Sequence, residues 1–134
     1  MSRAAVELPS RVRVFLTYAC TATVTTLRPD RTPHVTPVRF TFDPASALAR
    51  VTTRAGARKA RNVAAGGPAA RVPLCQADGS RRVTLEGRAA VTDEPGRLAE
   101  AVRRYSAPYG TLPPGPLDLV VIEIAVDRVL SRNL

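Results

Sequence analysis

The sequence predicts a mainly-β domain, a six-stranded antiparallel barrel with two short helices. Three observations carry that expectation. Runs of β-branched residues recur at short intervals, turn residues separate them, and 134 residues with 45% hydrophobic side chains suit one compact core. There is no internal repeat or long linker, so residues 1–134 read as a single domain. Closure into a barrel is economical because it removes the unpaired edges an open sheet would present. Periodicity alone leaves other small barrels open.

The elements follow in order. A polar stretch from Pro9 to Thr17 admits a helix and leads into Ala22-Thr-Val-Thr-Thr-Leu27, a first strand closed by the turn Arg28-Pro-Asp-Arg-Thr32. From His34 to Phe42 the residues alternate, with Thr36, Val38, Phe40 and Phe42 on one face, which reads as a second strand. Pro37 cannot donate to a ladder, so it marks an edge, a bulge or a ligand contact. Asp43-Pro-Ala-Ser46 turns the chain into a third strand, Leu48 to Thr53, completing a three-stranded meander. Ala57 to Ala65 favours a helix, stopped by Gly66-Gly67-Pro68. Ala70 to Gln76 and Arg81 to Asp93 form a hairpin with Val83, Leu85, Ala89 and Val91 inward beside Gly87. A second helix opens at Asp93-Glu-Pro95 and carries Leu98, Val102 and Tyr105 on one face. After a Pro/Gly loop from Ala107 to Pro116, Asp118 to Val126 supplies an apolar last strand.

The formal net charge is +9, but the arginines are scattered from Arg3 to Arg132 and form no basic run, so a specific nucleic-acid role is not expected. Arginine replaces lysine almost throughout, and Lys59 is the only lysine. No stretch approaches the ~20 apolar residues needed to span a bilayer. Met1 to Ser10 lacks the apolar centre of a secretory signal, so the expected location is cytoplasmic. Cys20 and Cys75 have no metal-ligand spacing and read as free thiols. His34 is the only histidine, which excludes a multi-histidine metal site and gives no support to a hydrolytic triad. Glu86 and Glu123 lie in apolar strands, where pairing with arginine or outward exposure is the expected reading.

One local contradiction stands out. Arg58, Lys59 and Arg61 crowd the first turn of the helix after the third strand, where the helix dipole is already positive. Free helix amides with guanidinium and ammonium groups suit a phosphate, and the hydroxyls of Thr52 and Thr53 end the preceding strand. The alternative is a basic helix that simply faces water.

The pattern Ala22-Thr-Val-Thr-Thr-Leu, Pro33-His-Val-Thr-Pro-Val-Arg-Phe, Arg50-Val-Thr-Thr, Arg58-Lys-Ala-Arg-Asn62 and Val83-Thr-Leu-Glu-Gly87 resembles the split β-barrel oxidoreductases related to pyridoxamine-phosphate oxidase, which bind FMN or the deazaflavin coenzyme F420. The resemblance runs from about Ala22 through Asp93 and more faintly through the last strand. It implies an FMN-binding split barrel in which Arg58 and Lys59 hold the cofactor phosphate, with Arg61 and Asn62 in the same motif. It also implies that Thr52 and Thr53 touch the phosphate or ribityl chain, and that Thr36, Pro37 and Val38 run beside the ring. Members of the family pair as homodimers with the cofactor between subunits.

Two departures narrow the activity. The chain lacks tryptophan and the carboxy-terminal Trp/Arg segment of true pyridoxamine-phosphate oxidases, so vitamin B6 oxidation is not expected. Ala64-Ala-Gly-Gly67 replaces the family's Asn/Arg-rich link after the first helix. The expectation is a reductase that passes a hydride from coenzyme F420 to a small-molecule acceptor, with an FMN flavoprotein as the alternative. A non-catalytic cofactor or tetrapyrrole carrier, or a basic nucleic-acid-associated barrel, are readings from other classes. No catalytic side chain is singled out, because in such enzymes the cofactor carries the hard chemistry. Tyr105 and Tyr109 read as packing residues, with the loop around Tyr109 able to line a substrate mouth.

Overall fold

The structure, a computed structural model, describes residues 6–18, 20–114 and 116–134. Arg3 and the other residues of the first five lie outside the described residues, as do Ala19 and Gly115 of the Pro/Gly loop. The elements are α1 (Ser10–Leu16), β1 (Ala22–Leu27), β2 (Pro33–Val38), β3 (Thr41–Asp43), β4 (Leu48–Arg54), α2 (Arg58–Gly66), β5 (Arg71–Asp78), β6 (Arg81–Thr92), α3 (Pro95–Tyr109) and β7 (Leu119–Arg132). Short 3-10 turns follow α2 and precede β7.

The strands form one antiparallel sheet in the order β2-β1-β5-β6-β7-β4-β3. Its two edges are β2 and β3, and only Arg39 and Phe40 separate them in the chain. Three Cα steps from Val38 to Thr41 reach at most about 11 Å, little more than two strand spacings. The opposite edges of the sheet must therefore meet, and the sheet curls into a barrel. Its interior is packed by Val24, Val51, Leu74, Val83, Leu85, Ile122 and Ile124, all buried. α1 closes one end through Val12, Phe15 and Leu16, and the buried Gln76 Nε2 donates to the Phe15 carbonyl at 2.8 Å.

The structure corrects the element list in four places. The expected second strand is two strands, making seven rather than six, because the Tyr109 hydroxyl accepts from the Phe40 N–H and donates to its C=O at 3.2 and 2.8 Å. With both backbone groups occupied, residue 40 cannot continue a ladder. For the same reason there is no meander: β3 and β4 pair on the far edge from β1 and β2. The helices number three rather than two, and α3 runs through Ala107–Tyr109, assigned above to a loop. Pro108 is tolerated in the final turn, which ends at Gly110 with a φ of 69°. β7 continues to Arg132 instead of stopping at Val126, because β6 offers it a partner beyond a bulge between Glu86 and Gly87. Pro37 does sit on an edge strand, and both described cysteines are free.

Two contacts set the inner geometry. At the bulge, a Cβ on Gly87 would lie 2.0 Å from the Ala125 carbonyl oxygen, so only glycine lets β6 and β7 approach this closely. The buried Asn62 of α2 donates from Nδ2 to Thr26 Oγ1 at 2.9 Å, tying the helix to β1. Gly87→Ala is expected to lower unfolding free energy by about 3 kcal/mol or more, measured as a fall in the urea midpoint. Asn62→Ala leaves the buried Thr26 hydroxyl without this partner and is expected to cost about 1–3 kcal/mol in the same assay.

Candidate functional site

β4 ends at Arg54, and a tight turn in which the Ala57 N–H donates to the Arg54 carbonyl at 3.0 Å launches α2. The first turn of α2 contains no acidic residue, and its N-cap, Ala57, provides no side-chain acceptor. The same chain caps α3 in the ordinary way, with the Glu94 carboxylate accepting from Gly96 and Arg97 N–H groups at 2.9 Å each. The open, basic start of α2 is thus a local departure rather than a property of the chain's composition.

Lys59 follows from that start. It is half-buried, and among the described residues no hydrogen bond or ion pair engages its ammonium. Burial alone pushes its pKa below the usual lysine value. The ammonium borders a groove of about 410 Å³ lined by Pro37, Val38 and Arg39 from the β2 end, Thr52, Thr53 and Arg54 from β4, and Tyr105 and Pro114 from α3 and the loop beyond it. That lining holds three cations and no carboxylate. The groove lies where the two sheet edges meet, which is why residues 37–39 and 52–54 face each other across it.

Of the residues expected from the sequence, the structure brings Pro37, Val38, Thr52, Thr53 and Lys59 together in this groove. Thr36 lies deeper along β2 and does not line it. Arg58 turns along the helix, its Nη1 donating to Asn62 Oδ1 at a long 3.5 Å. Asn62 itself is engaged with Thr26 and borders a second cavity on the β1 side with Arg28, Arg31 and Arg71. Arg61 is exposed and borders a third hollow beside Asp93.

The sequence does not single out Arg39, Arg54 or Pro114 and assigns Tyr105 to packing. Arg39 Nη1 donates to the Tyr105 hydroxyl at 3.0 Å, joining residues 66 positions apart, a pairing no local pattern reveals. Its guanidinium also lies over the Tyr109 ring at 5.1 Å. Elsewhere the expectations of pairing hold. Glu123 is buried and takes Arg97 Nη1 at 2.6 Å, while Glu86 lies 3.9 Å from Arg128. His34 keeps a buried Nδ1 without a partner among the described residues. No group of three potential metal ligands occurs among them either, and none of their helices is long and apolar enough to cross a membrane.

Comparison with known proteins bears on this arrangement. The family described as pyridoxamine 5'-phosphate oxidase matches residues 8–133. An F420H(2)-dependent biliverdin reductase from Mycobacterium tuberculosis is 45% identical over 117 residues, covering 87% of this chain and 82% of that protein. Among solved structures, a conserved hypothetical protein from the same organism superposes with a TM-score of 0.76 at 25% identity, covering 98% of this chain and 88% of the other. A structure described as an F420 reductase gives 0.70 at 22% identity over 92% and 98%, a likeness of fold. The barrel, the groove beside the basic helix and the matched length converge, and the chain belongs to the pyridoxamine 5'-phosphate oxidase family.

Proposed function

We propose that this chain is a reductase that uses coenzyme F420 and acts on a small-molecule acceptor held in the groove. The observation that carries the reading is Lys59, a half-buried ammonium without an acidic partner among the described residues, set in a groove free of carboxylates. A buried cation without a counter-charge is costly, and a phosphate oxygen supplies what the protein withholds. The relative named as an F420H(2)-dependent biliverdin reductase, 45% identical, supports this cofactor and an extended conjugated acceptor.

The residues present fit the cofactor. Lys59 and the free N–H groups at the start of α2 would hold its phosphate, with Thr52 and Thr53 adding hydroxyl donors from β4. Arg58, held only by its long contact with Asn62, has donors left for the same phosphate. The backbone of Pro37 and Val38 would border the ring, and with Pro114 these apolar surfaces exclude water from it. When bound, the reduced deazaflavin supplies a hydride to an electron-poor carbon of the acceptor. The groove lining has no carboxyl or imidazole, so this chain contributes binding and orientation.

The reading includes a cytoplasmic homodimer. Edge strand β2 and its hairpin expose Val35 and Leu27, at 60% and 53%, beside unpaired backbone groups suited to a second copy. FMN is the second candidate, since the same cradle would take its phosphate.

A side-by-side fluorescence titration with F420 and FMN decides between them, and purified protein that retains a yellow flavin would overturn the deazaflavin assignment. Arg58→Ala with Lys59→Ala is expected to weaken F420 binding more than about tenfold, each charge-assisted contact contributing roughly 1.5 to 3 kcal/mol. Affinity also follows the ammonium, which is the binding form. Above about pH 8, where phosphate oxygens no longer titrate, affinity should fall as pH rises, the loss beginning below the ordinary lysine value of 10.5 because burial lowers the Lys59 pKa. Lys59→Arg, charged throughout that range, should hold it level.

A further inference from the structure

Several arginines in ordered elements meet a carboxylate. Arg54 lies on Asp118, Arg71 on Asp127, Arg97 on Glu123 and Arg104 on Asp43 and Glu100. Arg39 is handled differently. Its Nη1 donates to the neutral Tyr105 hydroxyl at 3.0 Å, its Cζ lies 5.1 Å from the centroid of the Tyr109 ring, and no acid pairs with it among the described residues. The two tyrosine rings stack with centroids 4.6 Å apart, so they form one aromatic support. The Tyr109 hydroxyl then binds both the N–H and the C=O of Phe40, the residue after Arg39, fixing the backbone as well.

A guanidinium held by neutral groups keeps its full charge. With Nη1 committed to Tyr105, the Nε and Nη2 donors remain, the edge of the fork that takes both oxygens of one carboxylate. This edge belongs to a residue on the β2 wall of the groove, whereas Lys59 enters from α2. Arg54, the third cation of the lining, lies on Asp118, so the groove presents two separately rooted cations without a carboxylate, and a phosphate on Lys59 leaves Arg39 without a partner.

We propose that Arg39, positioned by Tyr105 and Tyr109, determines acceptor specificity by binding a carboxylate on the reducible substrate. This rests on the reading of the groove as the F420 site. Arg39 is the binding residue; Tyr109 acts through it. Acceptors without an anionic group then bind weakly although their conjugated system is the same.

Biliverdin, which carries two carboxylates, and its dimethyl ester are the probes. Each is titrated by absorbance into the full-length protein without cofactor, and KM is measured separately with F420H2. Wild type is expected to bind the diacid at least about tenfold more tightly than the ester, the worth of one charge-assisted contact. Arg39→Met should bring that ratio close to one, Arg39→Lys should keep part of it, and Tyr109→Phe, which removes the hydroxyl tether to Phe40 and its long contact with the Cys20 carbonyl, should fall between. A purely structural role would change melting temperature and leave the acid-to-ester ratio intact. Wild type that binds both forms equally, or neither, overturns the proposal, as does a ratio that survives in Arg39→Met. Should Arg39→Met fail to fold, the wild-type ratio and Arg39→Lys decide it. Failure to take up F420 with the ratio present would overturn the cofactor reading and leave Arg39 standing; F420 uptake without discrimination would overturn Arg39 alone.

Discussion

The two-residue link between opposite edges of the sheet is the constraint on which the rest depends. Because β2 and β3 lie at the two ends of the strand order and only Arg39 and Phe40 join them, the sheet cannot stay open. The link also breaks a ladder, and a broken ladder exposes backbone groups that need partners. Tyr109 provides them from α3, so the same contact that interrupts the strand anchors a helix across the seam. The groove is the space left where the edges meet, walled by residues 37–39 on one side and 52–54 on the other. Fold closure and site formation are consequences of one short connection.

Charge is distributed over this frame with a consistent logic. On the outer face beneath α3, arginines and carboxylates neutralise one another, as in the Arg97–Glu123 and Arg104–Asp43 pairs. The groove lining holds no carboxylate: Arg54 reaches outward to Asp118, Arg39 is supported by a hydroxyl and an aromatic ring, and Lys59 has no partner among the described residues. The helix that begins there lacks an acidic cap, whereas α3 has one. A surface selected only for solubility has no reason to keep these two regimes apart.

Much of this was readable in the residues and some was not. β1 falls on Ala22–Leu27 as its β-branched run indicates, and the inward set Val83, Leu85 and Ala89 is buried as the alternation requires. The abnormal start of α2 was visible because a dipole and like charges conflict over only a few residues. What escaped was long-range. The split at Arg39–Phe40 depends on a hydroxyl 69 residues away, and the extension of β7 to Arg132 depends on a bulge in β6. Asn62 lies within the motif that points to phosphate, yet its amide is bound to Thr26, a contact that only the packing of α2 on β1 creates. Arg39 looked like one outward residue in an alternating strand until α3 placed Tyr105 against it.

Lys59 is the chain's only lysine, and it is the one inside the groove. Its lowered basicity leaves a larger share of free amine near neutral pH than an ordinary lysine has. An acylating reagent selective for ε-amines therefore has a single side-chain target in the whole molecule, and that target lies within the binding surface. The fraction of chains that gain its mass would report directly how many grooves are open at that moment.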